Sequence, residues 1–341
     1  MNTLTSSEEL IQSMLPAIEA ELEVAVSLAN GNITKTLHQM LTYHLGWEGE
    51  AAGPEARGKR IRPLLLLLTC SAAGGNWQAA LPASAAVELV HNFSLIHDDI
   101  QDNSPLRRGR TTLWKHWGIA QAINAGDAMF TLAHLALLRL NEHSPADIVI
   151  KAARTLQQAC LNLTRGQYLD LDYETRNDIT IDDYWPMVEA KTASLIATCT
   201  ELGALISVTD EERCSEFRRF GLSLGLAFQV QDDLLGIWGD GILTGKSTES
   251  DLTSGKKSLP ILFGLSQNGS FYNRWMQGSI KAEEVPELAK LLDSEGARSF
   301  TQGQANRLTK EALQALENSK PEGLAGQVLK EITLKLVQRE S

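Results

Sequence analysis

Apolar residues recur at intervals of three and four along most of this chain, the spacing that places them on one face of an α-helix. Good helix formers fill the positions between them, and Ser6 followed by Glu9 is a capping-box pattern for the start of the first helix. No segment shows a convincing β-strand alternation. The pattern predicts helices over residues 6–29, 37–45, 62–73, 79–102, 119–140, 146–174, 181–208 and 211–238.

Several of these segments are apolar nearly all the way round, as expected for buried central helices. The chain has 341 residues, with no internal repeat and no break in composition. It is therefore predicted to be all-α, as one large helical bundle forming a single domain over 1–341. Residues 58–63 and 103–116 are basic or Arg-rich connectors, and the polar stretch 239–258 is long enough for a functional loop.

Two acidic clusters each follow an apolar helical run. The first contains Asp98, Asp99 and Asp102, and the second begins with Asp232 and Asp233. Carboxylates four positions apart share one face of a helix, where like charges repel unless a cation lies between them. Oxygen ligands without His or Cys suit Mg²⁺, which shares its coordination shell with substrate phosphates. The alternative for either cluster alone is a solvated helix end.

Basic residues accompany both acidic clusters along the chain. They are Lys59, Arg60, Arg62, Arg107, Arg108, Arg110, Lys246, Lys256 and Lys257. Arg binds phosphate oxygens through two parallel hydrogen bonds, and Lys acts as a mobile point charge. Together with Mg²⁺ these cations suit the binding of a diphosphate. For any single cation the alternative is a surface charge, and Arg107 and Arg108 could instead pair with the first cluster. His91, two helical turns before Asp98, could contact substrate or pack in the core.

Composition narrows the class of protein. The formal net charge of −11 argues against a nucleic-acid-binding surface, which would be basic. The longest aliphatic run, Leu64–Leu68, is far shorter than the ~20 residues of a membrane span, and no signal-peptide pattern is visible. The four cysteines lack paired spacing, which is typical of a reducing compartment. We therefore expect a cytoplasmic protein without a transmembrane segment or a nucleic-acid partner.

Seven short motifs together match a known family in order and spacing. They are GKRIRP (58–63), HNFSLIHDDIQD (91–102), RRG (107–109), GQYLDL (166–171), KT (191–192), FQVQDDLLG (228–236) and GKKSLP (255–260). Through them the chain resembles the trans-polyprenyl diphosphate synthases over about 58–265. The resemblance implies a helical bundle of the isoprenoid synthase type with a central active-site cavity, and a homodimer.

The resemblance also implies a role for each matching residue. The diphosphate of isopentenyl diphosphate is expected on Lys59, Arg62, His91 and Arg108. The allylic diphosphate is expected on Arg107, Lys191, Lys246 and Lys256. Mg²⁺, as three ions, is expected on Asp98, Asp102 and Asp232, with Asp99 and Asp233 in support. Thr192 and Gln229 are expected to line the reacting region, where Lys191 and Gln229 also contact substrate.

The implied reaction is Mg²⁺-dependent prenyl transfer. The allylic C–O bond ionises, the isopentenyl double bond attacks the allylic cation, and a proton is lost. One position departs from the family pattern, because Gly236 stands where the second motif often carries a third Asp. Asp240 is a candidate to replace it in part.

The helix before the first cluster is expected to form one wall of the product tunnel. In the family, bulk at the fourth and fifth positions before the first Asp limits product length, and here these positions are Ser94 and Phe93. One small and one aromatic residue favour geranylgeranyl diphosphate (C20), with farnesyl diphosphate (C15) second and longer products third.

Two other classes of protein share some of these features. A class I terpene cyclase would carry an Asn/Ser/Glu metal motif where Asp232 and Asp233 stand, and GKRIRP indicates a second diphosphate. A non-catalytic regulatory subunit of a heteromeric synthase is expected to have lost one acidic motif, whereas this chain keeps both.

Overall fold

The computed structural model describes residues 6–207, 210–239 and 251–337, and this part of the chain is nearly all helical, as predicted. The α-helices are Ser7–Ser27, Lys35–His44, Pro54–Arg57, Ile61–Ala72, Leu81–Gln101, Leu113–Trp117, Ile119–Leu138, Ala146–Thr175, Ile181–Val188, Ser194–Ser207, Glu211–Trp238, Asp251–Ser254, Leu259–Ser266, Ser270–Trp275, Val285–Ser294, Ala297–Asn318 and Gly323–Val337. Short 3₁₀ turns cover Trp77–Ala80, Arg139–Glu142 and Ala282–Glu284.

The predicted helix boundaries are mostly within two residues of the observed ones. At the first helix, the side chain of Ser6 accepts a hydrogen bond from the backbone N–H of Glu9 at 3.2 Å, as the capping pattern predicts. The segment 181–208 departs from the prediction, because a π-helical turn at Glu189–Ala193 separates Ile181–Val188 from Ser194–Ser207. Such turns inside α-helices are frequent at functional sites.

The connector 103–116 is more ordered than its composition suggests. It contains a two-stranded antiparallel hairpin, in which Leu106 pairs with Thr111 and Arg107 with Arg110, followed by the helix Leu113–Trp117. The turn residues Arg108 and Gly109 both have positive φ (52° and 73°), which suits the tight turn of a two-residue hairpin. Strands of two residues are too short for a β-strand alternation to appear in the sequence, so the all-α prediction holds.

The chain forms two compact units. The first comprises Met1–Gln158, Thr198–Phe217 and Ser319–Leu329, and the second comprises Ala159–Ala197, Arg218–Asn318 and Lys330–Ser341, each without the residues outside the described ranges. That the chain acts as one domain stays a prediction.

The first unit is built around the helix Leu81–Gln101. This helix packs against Ile119–Leu138, Ile61–Ala72 and Ser7–Ser27. The five leucines Leu64–Leu68 are at most 3% exposed. Among the described residues, the segment Trp77–Gln101 is long and apolar enough to cross a membrane, but 67% of its apolar window is buried within the protein. It therefore has the burial of a core helix.

The second unit has its own apolar core. The helix Leu259–Ser266 packs against Ala297–Asn318, Val285–Ser294 and Ser270–Trp275. The buried residues of this core are Ile237, Leu252, Ile261, Phe271, Ile280, Leu288, Leu292 and Ala297. Because Ile237 and Leu252 belong to it, the core anchors both the helix of the second acidic cluster and the segment that follows residue 250.

Candidate active site

The basic side chains at positions 59–62 differ in how deeply they are buried. Arg60 is 4% exposed, and its guanidinium bonds Glu19 at 2.6 Å, Glu88 at 2.8 Å and the Leu45 carbonyl at 3.2 Å. Its backbone φ of +49° places it in the left-handed region at the start of the helix Ile61–Ala72. Arg60 thus fixes the start of this helix, whereas Lys59 is exposed and Arg62 half-buried.

Arg62 and His91 form a polar pair in the first unit. Nη1 of Arg62 lies 3.1 Å from Nε2 of His91. A guanidinium can only donate, so Nε2 of His91 accepts and this imidazole is neutral, with its proton on Nδ1. Burial, and then the charges of Arg62 and Arg108, hold the pKa of His91 well below its usual value. A neutral His91 is therefore stable beside these cations.

Arg108 lies against the first basic motif. Its Nη1 donates to the Ala56 carbonyl at 3.0 Å, and a Cβ added to Gly58 would lie 2.8 Å from the guanidinium. Gly58 also has a φ of +75°, so glycine is required there both by its conformation and by the approach of Arg108. The structure therefore brings Arg108 next to the backbone that precedes Lys59. Arg110, in contrast, donates to the carbonyls of Tyr43, Glu48 and Glu50 and is structural.

The first acidic cluster lies at the end of the helix Leu81–Gln101, with Asp102 as the C-cap residue. Asp99 is 2% exposed and accepts a hydrogen bond from Nε of Arg107 at 2.6 Å. Burial raises the pKa of Asp99 to about 6, although Arg107 opposes the shift. Asp98 is half-buried and Asp102 exposed, which leaves these two carboxylates better placed than Asp99 to reach a metal ion. The ion pairing considered for Arg107 from sequence is present.

The second acidic cluster lies on the helix Glu211–Trp238. Asp233 is 2% exposed and accepts three hydrogen bonds: from the Tyr184 hydroxyl at 2.7 Å, the Leu259 N–H at 3.0 Å and Nε2 of Gln229 at 2.9 Å. Burial raises the pKa of Asp233 to about 6, while Lys256 opposes the shift. Asp233 therefore ties three segments of the second unit together, and the neighbouring Asp232 is half-buried.

Thr192 and Gln229, both expected in the reacting region, are hydrogen-bonded to each other. The Thr192 hydroxyl donates to Oε1 of Gln229 at 2.9 Å, and the amide of Gln229 in turn donates to Asp233. Because each group in this series has a defined partner, the orientation of the Thr192 hydroxyl and the Gln229 amide is fixed.

Lys191 lies in the π-helical turn and forms an ion pair with Asp170. Gly166 makes the contact possible, because a Cβ at this position would lie 2.2 Å from the backbone nitrogen of Lys191. The GQYLDL and KT motifs are therefore one structural feature. Asp170 and Tyr184 were not assigned roles from sequence. Asp170 belongs to the GQYLDL motif, but its partner depends on a tertiary contact.

The two lysines of the GKKSLP motif have different surroundings. Burial alone would lower the pKa of Lys256, but the carboxylates of Asp251, Asp233, Asp170 and Asp232 raise it above its usual value. Lys257 is 8% exposed and donates to the carbonyls of Tyr173 at 2.6 Å and Glu174 at 3.2 Å, at the end of a helix. Lys256 is thus the charge surrounded by acidic side chains. Asp240 and Lys246 lie outside the described residues.

Phe93 and Ser94 lie on the helix that precedes the first cluster. The Phe93 ring centroid lies 4.9 Å from that of Phe130 and 5.0 Å from that of His97. The Ser94 hydroxyl donates to the His91 carbonyl at 2.8 Å within its own helix. Phe93 therefore packs against a side chain of the helix Ile119–Leu138, whereas the Ser94 hydroxyl is hydrogen-bonded within its own helix.

The carboxylate oxygens of both clusters are ligands that fit Mg²⁺. Among the described residues, no group of three or more His, Cys, Asp or Glu side chains converges closely enough to hold a metal ion. Mg²⁺ is commonly held by one or two carboxylates together with substrate phosphates.

Comparison with known proteins identifies the family. A family model described as polyprenyl synthetase matches residues 52–292. A (2E,6E)-farnesyl diphosphate synthase from Mycobacterium tuberculosis is 41% identical over 303 residues, covering 83% of each chain. A geranylgeranyl diphosphate synthase from the same organism is 38% identical over 293 residues, covering 85% of this chain and 79% of the other.

A solved structure gives the same result for the fold. The crystal structure of a polyprenyl synthetase from Streptomyces coelicolor is 34% identical and aligns with a TM-score of 0.87, over 97% of this chain and 100% of the other. The predicted isoprenoid synthase fold is thereby confirmed. The chain belongs to the polyprenyl synthetase family and is a trans-prenyltransferase.

Proposed function

We propose that the protein joins isopentenyl diphosphate head-to-tail to an allylic diphosphate, namely dimethylallyl, geranyl or farnesyl diphosphate. The product is a short-chain all-trans prenyl diphosphate, geranylgeranyl diphosphate in the first place. The observation that carries this proposal is that each acidic cluster has cations within its own unit. These are Arg62 and Arg108 in the first, and Lys191 and Lys256 in the second. Basic side chains beside both acidic clusters fit a reaction that uses two diphosphate substrates.

In the first unit, Lys59, Arg62, His91 and Arg108 would hold the diphosphate of isopentenyl diphosphate. Because His91 is neutral and accepts from Arg62, it orients one side of the guanidinium. The remaining N–H groups can then donate to phosphate oxygens as a parallel pair. Arg60 supports this arrangement through its buried carboxylate partners and needs no contact with substrate.

The allylic diphosphate would be bound by Arg107, Lys191, Lys246 and Lys256, and by Mg²⁺ on Asp98, Asp102 and Asp232, in three ions. When bound, Mg²⁺ neutralises charge on the diphosphate as the allylic C–O bond breaks. The side chains of Asp99 and Asp233, fixed by hydrogen bonds, hold the neighbouring ligand aspartates in place.

After ionisation, the isopentenyl double bond attacks the allylic cation and a proton leaves the product cation. The Thr192 and Gln229 side chains carry oxygen atoms with fixed orientation, which can stabilise a nearby positive charge electrostatically. The departing diphosphate is a second acceptor for the proton.

Incubation of the protein with isopentenyl diphosphate and each allylic starter, with and without Mg²⁺, tests the proposal. A Mg²⁺-dependent prenyl diphosphate one or more C5 units longer than the starter, detected by mass spectrometry, is the expected result. Hydrocarbon formed without consumption of isopentenyl diphosphate would indicate a terpene cyclase. No turnover of any starter would indicate a regulatory subunit.

Product length depends on the pair Phe93 and Ser94. Phe93→Ala removes a ring supported by Phe130 and is expected to lengthen the product, whereas Ser94→Phe adds bulk one position along the helix and is expected to shorten it. Mass spectrometry of products from a common starter measures both effects. If both variants give the wild-type product, this wall does not set its length.

Farnesyl diphosphate remains the second candidate for the product, because the relative with 41% identity is a farnesyl diphosphate synthase.

We also propose that the protein is a cytoplasmic homodimer. The helix Ile119–Leu138 exposes four large apolar side chains: Ile119 by 53%, Ile123 by 42%, Leu135 by 44% and Leu138 by 51%. Apolar groups concentrated on one helix are typical of an interface between subunits. Light scattering coupled to size-exclusion chromatography would measure the mass, and a mass of one chain would contradict the proposal.

A further inference from the structure

The second acidic cluster has a glycine where a third carboxylate would follow. Gly236 is four residues after Asp232 on the same helix, so the two positions share a face. A Cβ built on Gly236 would lie 2.6 Å from Oδ2, 2.8 Å from Cγ and 3.0 Å from Oδ1 of Asp251. The carboxylate of Asp251 therefore occupies the space that a side chain at position 236 would need.

Asp251 is held in this position by the segment around it. It opens the short helix Asp251–Ser254, in which Leu252 is 1% exposed and shares an apolar core with Ile237. Its backbone carbonyl accepts a hydrogen bond from the N–H of Lys256 at 3.1 Å. The backbone of Asp251 is thus anchored, with its carboxylate beside Gly236 of the helix of the second cluster.

The charge at Asp251 also acts on a substrate-binding lysine. Of the four carboxylates that raise the pKa of Lys256, Asp251 has the largest effect, followed by Asp233, Asp170 and Asp232. Asp251 and Asp232 therefore act on the same ammonium group.

We propose that Asp251 supplies the third carboxylate of the second acidic cluster, from a different element of the chain. It acts as a positioning residue that holds Lys256 and adds negative charge beside Asp232, where Mg²⁺ would bind. Gly236 is then a requirement of this arrangement, because any side chain there would displace the Asp251 carboxylate. The inference rests on the proposed function and deepens it.

Substitutions at Gly236 and Asp251, alone and together, test this inference. The variants are Asp251→Asn, Gly236→Asp and the double variant Gly236→Asp/Asp251→Ala, with the exposed Asp293→Asn as matched control. Calorimetry measures the binding of inorganic diphosphate at several Mg²⁺ concentrations, and steady-state kinetics gives separate KM values for the allylic and isopentenyl substrates. Thermal unfolding establishes that each variant is folded.

We expect Asp251→Asn to weaken Mg²⁺-dependent diphosphate binding by about 10-fold, as loss of an outer carboxylate at a metal site does, and to raise the allylic KM alone. Gly236→Asp should weaken binding as well, through crowding and repulsion, and the double variant should recover most of the loss. Asp293→Asn should bind as wild type.

Two results would overturn the inference: wild-type binding by Asp251→Asn, or a double variant that binds no better than Gly236→Asp. If the double variant does not fold, the result for Asp251→Asn decides. A wild-type protein that elongates no starter would instead reject the proposed function, and the inference with it.

Discussion

Asp98→Asn and Asp232→Asn are each expected to lower kcat by about 10²- to 10³-fold, the range found when one group that stabilises transition-state charge is removed. An amide would lack the negative charge with which each of these carboxylates is proposed to hold Mg²⁺, so the leaving diphosphate would depart without full neutralisation. Kinetics at saturating substrates and increasing Mg²⁺ measures the effect. Both carboxylates are half-buried, so we expect little change in the thermal unfolding temperature.

Asp127→Asn is the control for these variants, because its side chain is 67% exposed and lies on another helix. It should retain wild-type kcat and the wild-type dependence on Mg²⁺. If Asp98→Asn or Asp232→Asn behaves like Asp127→Asn, the assignment of that residue as a metal ligand is wrong.

Gly166→Ala is expected to lower kcat/KM for the allylic substrate by about 10²-fold, the cost of misplacing a binding group by about 1 Å. The added Cβ would lie 2.2 Å from the backbone nitrogen of Lys191, so the π-helical turn has to move away. Overpacking of this kind should also cost about 1–3 kcal/mol in the free energy of unfolding. Steady-state kinetics and denaturant unfolding measure the two effects.

Gly303→Ala is the matched control, because Gly303 lies in the helix Ala297–Asn318 with open space around its missing Cβ. It should leave kinetics unchanged and stabilise the fold by about 0.4–1 kcal/mol, since alanine restricts the unfolded chain. Wild-type kinetics in Gly166→Ala would show that the close approach at Lys191 is not needed for activity.

The helices could be predicted from sequence because burial along one face leaves a period that is visible in the residues themselves. The segment 211–238 is an example, and it is observed as Glu211–Trp238. The π-helical turn at Glu189–Ala193 leaves no such period. It coincides with the close approach of Gly166, which only the tertiary structure shows.

The candidate site could likewise be predicted only in part. The acidic clusters and the basic motifs were visible as residue types, but their partners were not. Arg60 and Arg62 look equivalent in sequence, although Arg60 is buried between Glu19 and Glu88 while Arg62 lies beside His91. Asp233 and Tyr184 are 49 residues apart, so nothing local indicates their hydrogen bond.

The ion pairs Arg107–Asp99 and Lys191–Asp170 change what the proposed binding of an allylic diphosphate would mean energetically. Each cation already has a counter-ion, so a diphosphate bound by either one would exchange partners with a carboxylate and would not neutralise an isolated charge. The net gain is the difference between two similar attractions, which is small for a simple anion. A diphosphate presents more oxygen atoms than phosphate, so it would gain more from such an exchange, and discrimination against small anions would follow from the number of contacts.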